Sequence, residues 1–361
     1  MSDNLRRYRA IRDALTHVYP PPPTGNFARH LQTLAALLSG IVGSKSTQLP
    51  HIATKVPDGP QPESRVKRFA RWVDNERLLE ERYFLPYADL LLRHFALQTV
   101  VLVMDGSVVG HGCHALRLHV VYKGRALPLA WRVRQGPKGH FPEDLPIALV
   151  ALVSELRPAG AQVVWLGDGA CEGTRLQQTG QDAGWSYGCR TGCHRTAWGD
   201  GETFRLDTLG AGSKPGTLVA FSEVWLTRAE YGPILLICCW AQGCQEPLYV
   251  VTHMDPAEEA GRVYSKRWRI ETFVSDQKSR GFHLHKSPLA NPQRLARLFI
   301  AACLAYMWIV YLGSVCIKEG WVRIIHRRHR CDLSLFQLGL RLLEHLLNEE
   351  MTIPVQFHVT I

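Results

Sequence analysis

Two continuous apolar runs, each ending in Asp followed by Gly, constrain the fold of this chain most. Residues 99–105 run Thr-Val-Val-Leu-Val-Met-Asp, and residues 162–168 run Gln-Val-Val-Trp-Leu-Gly-Asp. Such short apolar runs predict strands buried on both faces of a sheet, as in α/β proteins. Because ligands of these sheets gather at the strand ends, we expect Asp105 and Asp168 to lie near each other.

The two Asp residues together predict a metal site, although either one alone would be an ordinary end of a strand. Two carboxylates held close together repel each other, and a divalent cation relieves that repulsion. Mg²⁺ prefers hard oxygen ligands and keeps water or phosphate oxygens in its remaining positions.

The order of predicted elements indicates a mixed α/β core with additions. A hairpin at 115–133, a helix, the second apolar strand and another helix follow the first strand. Short strand-like runs between Gly-rich turns then predict a β-rich insertion. We divide the chain into a helical N-terminal region at 1–97, the first part of the core at 98–185, the insertion at 186–254, the second part of the core at 255–317, and a helical C-terminal region at 318–361.

Charge and cysteine usage favour an intracellular protein with a polyanionic partner. The formal net charge is +10, which favours nucleic acid without establishing it. The N-terminus lacks the apolar stretch of a secretory signal, and the ten cysteines form no compact framework. We expect a cytoplasmic, nucleoid-associated protein with reduced thiols. Zinc binding by Cys189, Cys193 and His194 stays open, because their spacing is not that of a standard zinc site.

A charge-free segment at 298–317 is long enough to cross a bilayer. It contains Tyr306, Tyr311, Gly313 and Ser314, and it is the only such run in the chain. A helix that is apolar all round can equally lie in the core of a large protein. We predict a buried core helix and no membrane partner.

A basic helix is predicted near the end of the N-terminal region, at 63–72. Its basic side chains lie beside apolar ones and belong to Arg65, Lys67, Arg68 and Arg71. Two predicted helices precede it, an order compatible with a variant of the helix-turn-helix that contacts DNA. A solvated basic helix in an ordinary bundle is the alternative.

A third carboxylate comes from a predicted helix at 264–278. At about 100° per residue, Tyr264, Arg267, Glu271 and Lys278 fall within an arc of roughly 60°. One narrow face would then present a phenol, a guanidinium, a carboxylate and an ammonium, a set that suits a phosphodiester. The alternative is an ordinary surface pair between Arg267 and Glu271.

These four positions match the Y-x₂-R-x₃-E-x₆-K pattern, and the chain resembles the DDE transposases of the insertion-sequence "family four" group, also called the YREK group. The resemblance covers about residues 99 to 315. It includes an Asp after the first strand, an Asp after the fourth strand, a β-rich insertion and the Glu helix. The stretch after Asp168 departs from it, because the Arg found there in many relatives is missing.

The resemblance implies an RNase H-like core in which Asp105, Asp168 and Glu271 are catalytic and bind two Mg²⁺ ions, or Mn²⁺ in their place. It implies cleavage of double-stranded DNA at terminal inverted repeats and joining of the 3′ ends to target DNA, by a homodimer on paired ends. Tyr264, Arg267 and Lys278 would bind phosphates. Trp268, Trp225 and Trp240 are candidates for stacking on a flipped base.

Other functions stay open at this stage. A silent or domesticated copy would bind transposon ends without cutting them, although its three acidic positions are intact. An RNase H-like nuclease would cut without joining strands. The β-rich insertion and the cationic positions around Glu271 favour transposition.

Overall fold

The computed structural model describes the chain apart from residues 20–21, 58–60, 96, 137–140, 172, 200, 211, 227–230, 328–330 and 358–361. The described part contains a mixed sheet of ten strands. The strands are β1 Thr99–Gly110, β2 Cys113–Tyr122, β3 Arg125–Gln135, β4 Gln162–Gly167, β5 Ser186–Thr191, β6 Thr196–Gly199, β7 Glu202–Arg205, β8 Thr217–Leu226, β9 Tyr231–Trp240 and β10 Leu248–Thr252. Their order across the sheet is β3-β2-β1-β4-β5-β10-β9-β8-β6-β7.

The first five strands have the arrangement that the resemblance implies for an RNase H-like core. β2 pairs antiparallel with both β1 and β3. On the other side of β1, β4 pairs with β1 in parallel, and β5 pairs with β4 in parallel. The apolar runs pair with each other from Thr99 opposite Gln162 to Met104 opposite Gly167. The parallel pairing therefore ends directly before both aspartates.

The β-rich segment extends the core sheet and does not form a second one. β10 returns antiparallel to β5, with Thr252 opposite Gly188, and β9, β8, β6 and β7 follow outward. The predicted insertion is therefore joined to the core by strand pairing.

Helices pack on the sheet and make up most of the regions before β1 and after β10. They are α1 Asp3–Thr16, α2 Gly25–Ser44, α3 Leu49–Thr54, α4 Pro62–Asp74, α5 Glu80–Tyr83, α6 Leu85–Arg93, α7 Asp144–Ser154, α8 Thr174–Asp182, α9 Leu206–Gly210, α10 Ala257–Tyr264, α11 Ile270–Gln277, α12 Pro292–Lys318, α13 Val322–Ile325 and α14 Leu335–Asn348. In the described part, α12 is the one helix long and apolar enough to cross a membrane, and 94% of its most apolar window is buried in the protein. The burial agrees with the core-helix interpretation.

The two terminal regions pack on each other through α12. Helices α2, α4 and α14 all contact it. The crossing of α12 and α14 needs glycine, because a Cβ on Gly339 would lie 1.9 Å from the carbonyl oxygen of Ile309. Arg6 of α1 donates to the carbonyl oxygen of Leu347 in α14 at 2.8 Å. The helical ends of the chain thus share one core.

Candidate active site

Asp105 lies within β1, and the prediction that it ends the strand is wrong. β1 continues to Gly110 because its other neighbour, β2, keeps pairing beyond the end of β4, for example at Ser107 opposite Ala115. Parallel pairing with β4 stops at Met104, so Asp105 is the first residue of β1 that β4 no longer covers. Its side chain is partly exposed there, whereas the strand before it is buried.

Asp168 follows the last residue of β4 and begins a tight turn. Its carbonyl oxygen accepts a hydrogen bond from the backbone N–H of Cys171 at 2.9 Å, which closes a 3₁₀ turn over Gly169–Cys171. The close approach explains the glycine before Asp168, since a Cβ on Gly167 would lie 2.6 Å from the Cβ of Cys171. The turn holds the Asp168 backbone beside β1.

The predicted single helix at 264–278 is three segments. α10 ends at Tyr264, residues Ser265–Arg269 form a 3₁₀ helix, and α11 follows as Ile270–Gln277. A 3₁₀ helix turns about 120° per residue, so a constant 100° does not describe this stretch. Lys278 lies just beyond the end of α11.

Tyr264 is directed to the sheet and not to the open site. Its side chain is 3% exposed, and its hydroxyl donates to the carbonyl oxygen of Gly167 at 3.2 Å. Burial raises the pKa of this phenol, and the nearby Arg267 counteracts part of the rise. In this structure the hydroxyl that we expected to contact a phosphate has a partner at the end of β4.

An open cavity of about 600 Å³ brings the three predicted carboxylates to one surface. The acidic residues at this cavity are Asp105, Asp168 and Glu271, and the basic ones are Arg190, Arg267 and Lys278. Gly169, Val274, Ser275 and Ser279 complete the lining. The cavity thus combines acidic groups with cations, as expected for a site that handles a phosphodiester.

The carboxyl group of Asp105 has a raised pKa. Burial raises its pKa to about 6, and the nearby Asp168 and Glu271 add to the rise, while Arg117 and Arg267 oppose it. The guanidinium Nη1 of Arg267 lies 3.7 Å from the Asp105 Oδ1, and Arg267 is 6% exposed. Additional positive charge at this site would favour the ionised form of the Asp105 carboxyl further.

The donor set fits a hard divalent cation held with help from a ligand. No three acidic, histidine or cysteine side chains in the described ranges converge closely enough to hold a metal ion unaided. Mg²⁺ is commonly bound through one or two carboxylates, with phosphate oxygens and waters in its other positions. The residues that would hold it here are Asp105, Asp168 and Glu271, all of which face the cavity.

Arg190 is a cavity residue that our sequence reasoning missed. It lies on β5, is exposed, and lines the site beside Asp168. The pattern that could have identified it is the strand at 186–191, because β5 is the next parallel neighbour of β4 and its side chains alternate between faces.

The three predicted stacking tryptophans have different surroundings. Trp268 is 46% exposed, carries the Arg267 guanidinium 4.1 Å from its ring centroid, and borders a second, largely apolar cavity of about 400 Å³. Trp225 stacks on Trp198 at 5.0 Å, and Trp240 donates to the carbonyl oxygen of Cys244. Of the three, Trp268 is the exposed one, and it contacts Arg267, which lines the cavity of the carboxylates.

The predicted basic helix α4 lies away from the cavity lining. Lys67, Arg68 and Arg71 are exposed on it. Arg65 instead donates to the carbonyl oxygens of Ala53 and Val56 at 3.2 and 3.3 Å, which ties α4 to the end of α3. Three of the four predicted DNA contacts on this helix therefore have exposed side chains.

Comparisons with known proteins identify the family. Residues 98–308 match the family model for the transposase DDE domain. A piggyBac transposase synaptic complex with hairpin DNA is similar at 12% identity and a TM-score of 0.48, over 98% of this chain and 83% of that one. The catalytic domain of human endonuclease V is similar at 13% identity and a TM-score of 0.27, over 73% of this chain and 98% of that one. Neither of these two structures enters the family assignment. No curated protein matches the chain. Because the family model covers more than half of the chain, this protein belongs to the family of transposases with a DDE domain.

Proposed function

We propose that the protein is a DNA transposase of the YREK group, which cleaves at the terminal inverted repeats of an insertion sequence and joins the 3′ ends to target DNA. The observation that carries this proposal is the cavity in which Asp105, Asp168 and Glu271 meet three cationic side chains. The family assignment supports the same class of chemistry.

The carboxylates have the catalytic role in this proposal. Asp105, Asp168 and Glu271 would hold two Mg²⁺ ions, or Mn²⁺ in their place, which would supply Lewis-acid chemistry. Asp105 and Asp168 project from neighbouring strands, and Glu271 faces them from α11. Asp105 binds a cation as its carboxylate form, so cation binding competes with the proton that burial favours.

The cationic side chains neutralise and orient the phosphate. Arg267 has a planar guanidinium suited to bidentate contact with phosphate oxygens, while Lys278 contributes a compact charge. Arg190 adds a third positive charge from β5. Their attraction for the phosphate offsets the repulsion between the DNA backbone and the three carboxylates.

Two further surfaces extend the proposed DNA contact. Trp268, which is 46% exposed, would stack on a base displaced near the cut. Exposed Lys67, Arg68 and Arg71 on α4 would bind the backbone of the terminal repeat. We further propose that two protomers act together on paired transposon ends.

Cleavage of a duplex bearing the element's own terminal repeat tests the proposal. Wild-type protein is expected to nick this duplex in Mg²⁺ and not in chelator, and Glu271→Gln is expected to bind the duplex without cutting it. Equal cleavage by both proteins would refute the assignment of the site.

A strand-joining assay separates transposition from the related functions. Supplying a pre-cut end with a free 3′-hydroxyl and a target plasmid should give joined products. Nicking without joining would identify a nuclease. Binding without nicking by the wild-type protein would identify a silent end-binding protein.

A further inference from the structure

The helix that carries Glu271 has two opposite faces. Glu271, Val274 and Ser275 line the cavity, whereas Phe273, Asp276 and Gln277 are buried. With only eight residues, α11 is too short to be stable by itself, so its position depends on packing. The buried face therefore sets where the Glu271 carboxylate lies.

Asp276 is held on the buried face by an ion pair with β3. Its Oδ2 lies 2.8 Å from the Arg125 Nη1, and the two side chains are only 3% and 8% exposed. The same Arg125 nitrogen donates to the hydroxyl of Tyr306 on α12 at 3.1 Å, and Tyr306 is fully buried. Arg125, the first residue of β3, thus links α11 to α12.

Neighbouring side chains of α11 contact α12 as well, and they also reach β2. The Phe273 ring packs edge-on against Tyr306 at 4.8 Å and against His119 at 4.5 Å. Gln277 donates to the carbonyl oxygen of Ala302 in α12 at 3.2 Å. The apolar contacts fix the distance of α11 from β2 and α12. The directional polar contacts fix the rotation of α11 about its axis and its position along the strands.

We propose that Arg125, Asp276 and Tyr306 are positioning residues that hold Glu271 in register with Asp105 and Asp168 for metal binding. A buried charged pair stabilises a fold only weakly compared with apolar packing, and in this proposal the role of the pair is to fix the position of α11. Losing it leaves α11 packed through Phe273 yet free to rotate by a small angle. The expected consequence is a weaker metal site in a protein that is still folded.

The proposal rests on the proposed function only for the metal site, so the test uses metal binding without DNA. Mn²⁺ titration calorimetry would compare wild type with Tyr306→Phe, which removes one hydroxyl, and with Asp276→Asn, which removes the charge. Amide hydrogen exchange of residues 270–277 would be measured on the same proteins. The matched control is Glu80→Gln, which replaces the α5 carboxyl that lies 3.2 Å from Arg132 of β3 and leaves α11 untouched.

We expect both variants to raise the Kd for Mn²⁺ about 10-fold, as substitutions behind metal ligands typically do. Exchange in α11 should become faster in both. Glu80→Gln should keep the wild-type Kd even though its Tm falls. If Asp276→Asn does not fold, Tyr306→Phe alone decides.

Three results would overturn the proposal: an unchanged Kd in Tyr306→Phe, an equal loss of affinity in Glu80→Gln, or a wild-type protein that binds no Mn²⁺. A wild-type protein that binds Mn²⁺ but leaves terminal-repeat DNA uncut would instead contradict the proposed function and leave the positioning role intact.

Discussion

The strands that carry the two aspartates and the helix that carries Glu271 are held in place by different forces. Asp105 and Asp168 extend from neighbouring strands whose backbones pair residue by residue up to Met104 and Gly167. Glu271 lies on a helix of eight residues that follows a 3₁₀ segment and shares no strand pairing. The aspartates are positioned by backbone hydrogen bonds, whereas the glutamate is positioned by side chains.

This difference divides the site into two halves. The stiff half is β1 and β4 with Asp105 and Asp168, and the adjustable half is α11 with Glu271. Strand pairing is cooperative and tolerates changes of side chain without moving the backbone far. Docking through a few buried side chains is sensitive to each of them, because no ladder of hydrogen bonds corrects a small displacement. Substitutions of equal size should therefore affect cleavage more on α11 than on β1 or β4.

The largest effect is expected from removing charge in the stiff half. Asp105→Asn and Asp168→Asn should each slow DNA cleavage by about 10³-fold or more, because each removes several kcal/mol of stabilisation from the metal site. Single-turnover cleavage measures the loss, and electrophoretic binding to the same duplex is the control that should stay near wild type. A rate within 10-fold of wild type for either variant would contradict the role of that aspartate.

A substitution that leaves a void under α11, in the adjustable half, should lower both the stability and the activity of the protein. Phe273→Ala should lower the free energy of unfolding by about 3–5 kcal/mol, because the ring is fully buried between β2 and α12. Leu166→Ala in β4 is the matched substitution, with an expected cost of about 2–5 kcal/mol. Urea denaturation gives the stabilities, and cleavage at a temperature where both variants are folded should fall much further in Phe273→Ala. Similar losses of cleavage would erase the distinction between the two halves.

Without metal, the free energy of unfolding of the protein should depend on pH through Asp105 in the stiff half. Burial raises the pKa of Asp105 from 3.8 to about 6, so the folded protein binds this proton more tightly than the unfolded chain. The resulting stabilisation is complete below about pH 4 and is lost as the pH rises through 6, a change on the order of 3 kcal/mol. In chelator, the difference in unfolding free energy between wild type and Asp105→Asn should therefore shift in favour of the variant between pH 4 and pH 7. A difference that stays constant over this range would refute the raised pKa.

The smallest effect is expected at the contact between the two halves. Tyr264→Phe removes only the hydrogen bond to the Gly167 carbonyl oxygen, which should cost about 1 kcal/mol of stability. Thermal unfolding measures this cost, and affinity for terminal-repeat DNA should be unchanged. A marked loss of DNA affinity would indicate that the hydroxyl contacts a phosphate.

Sequence reasoning identified the features that depend on local pattern. The apolar runs before Asp105 and Asp168 predicted neighbouring buried strands, and the turn at Lys123 and Gly124 predicted the hairpin of β2 and β3. These succeed because strand burial and turn formation depend on residues close in sequence.

Features set by tertiary contacts were not predictable in the same way. The side chain of Tyr264 is directed to β4, and a 3₁₀ segment separates it from Glu271, a break that no periodicity of the sequence indicates. The pairing of Arg125 with Asp276 joins residues 151 positions apart. The continuation of the core sheet into the β-rich segment depends on the return of β10 to β5, which strand propensity alone does not specify.

The burial of α12 has a consequence for the order in which the chain acquires its structure during synthesis. Helices α2 and α4 pack on α12, yet more than 200 residues separate them from it in the sequence. When the N-terminal helices leave the ribosome, the surface that covers their apolar faces has not been made. The terminal helices can complete their common core only after residue 318 has emerged, so a shorter nascent chain leaves the parts of α2 and α4 that pack on α12 open to solvent or to chaperones.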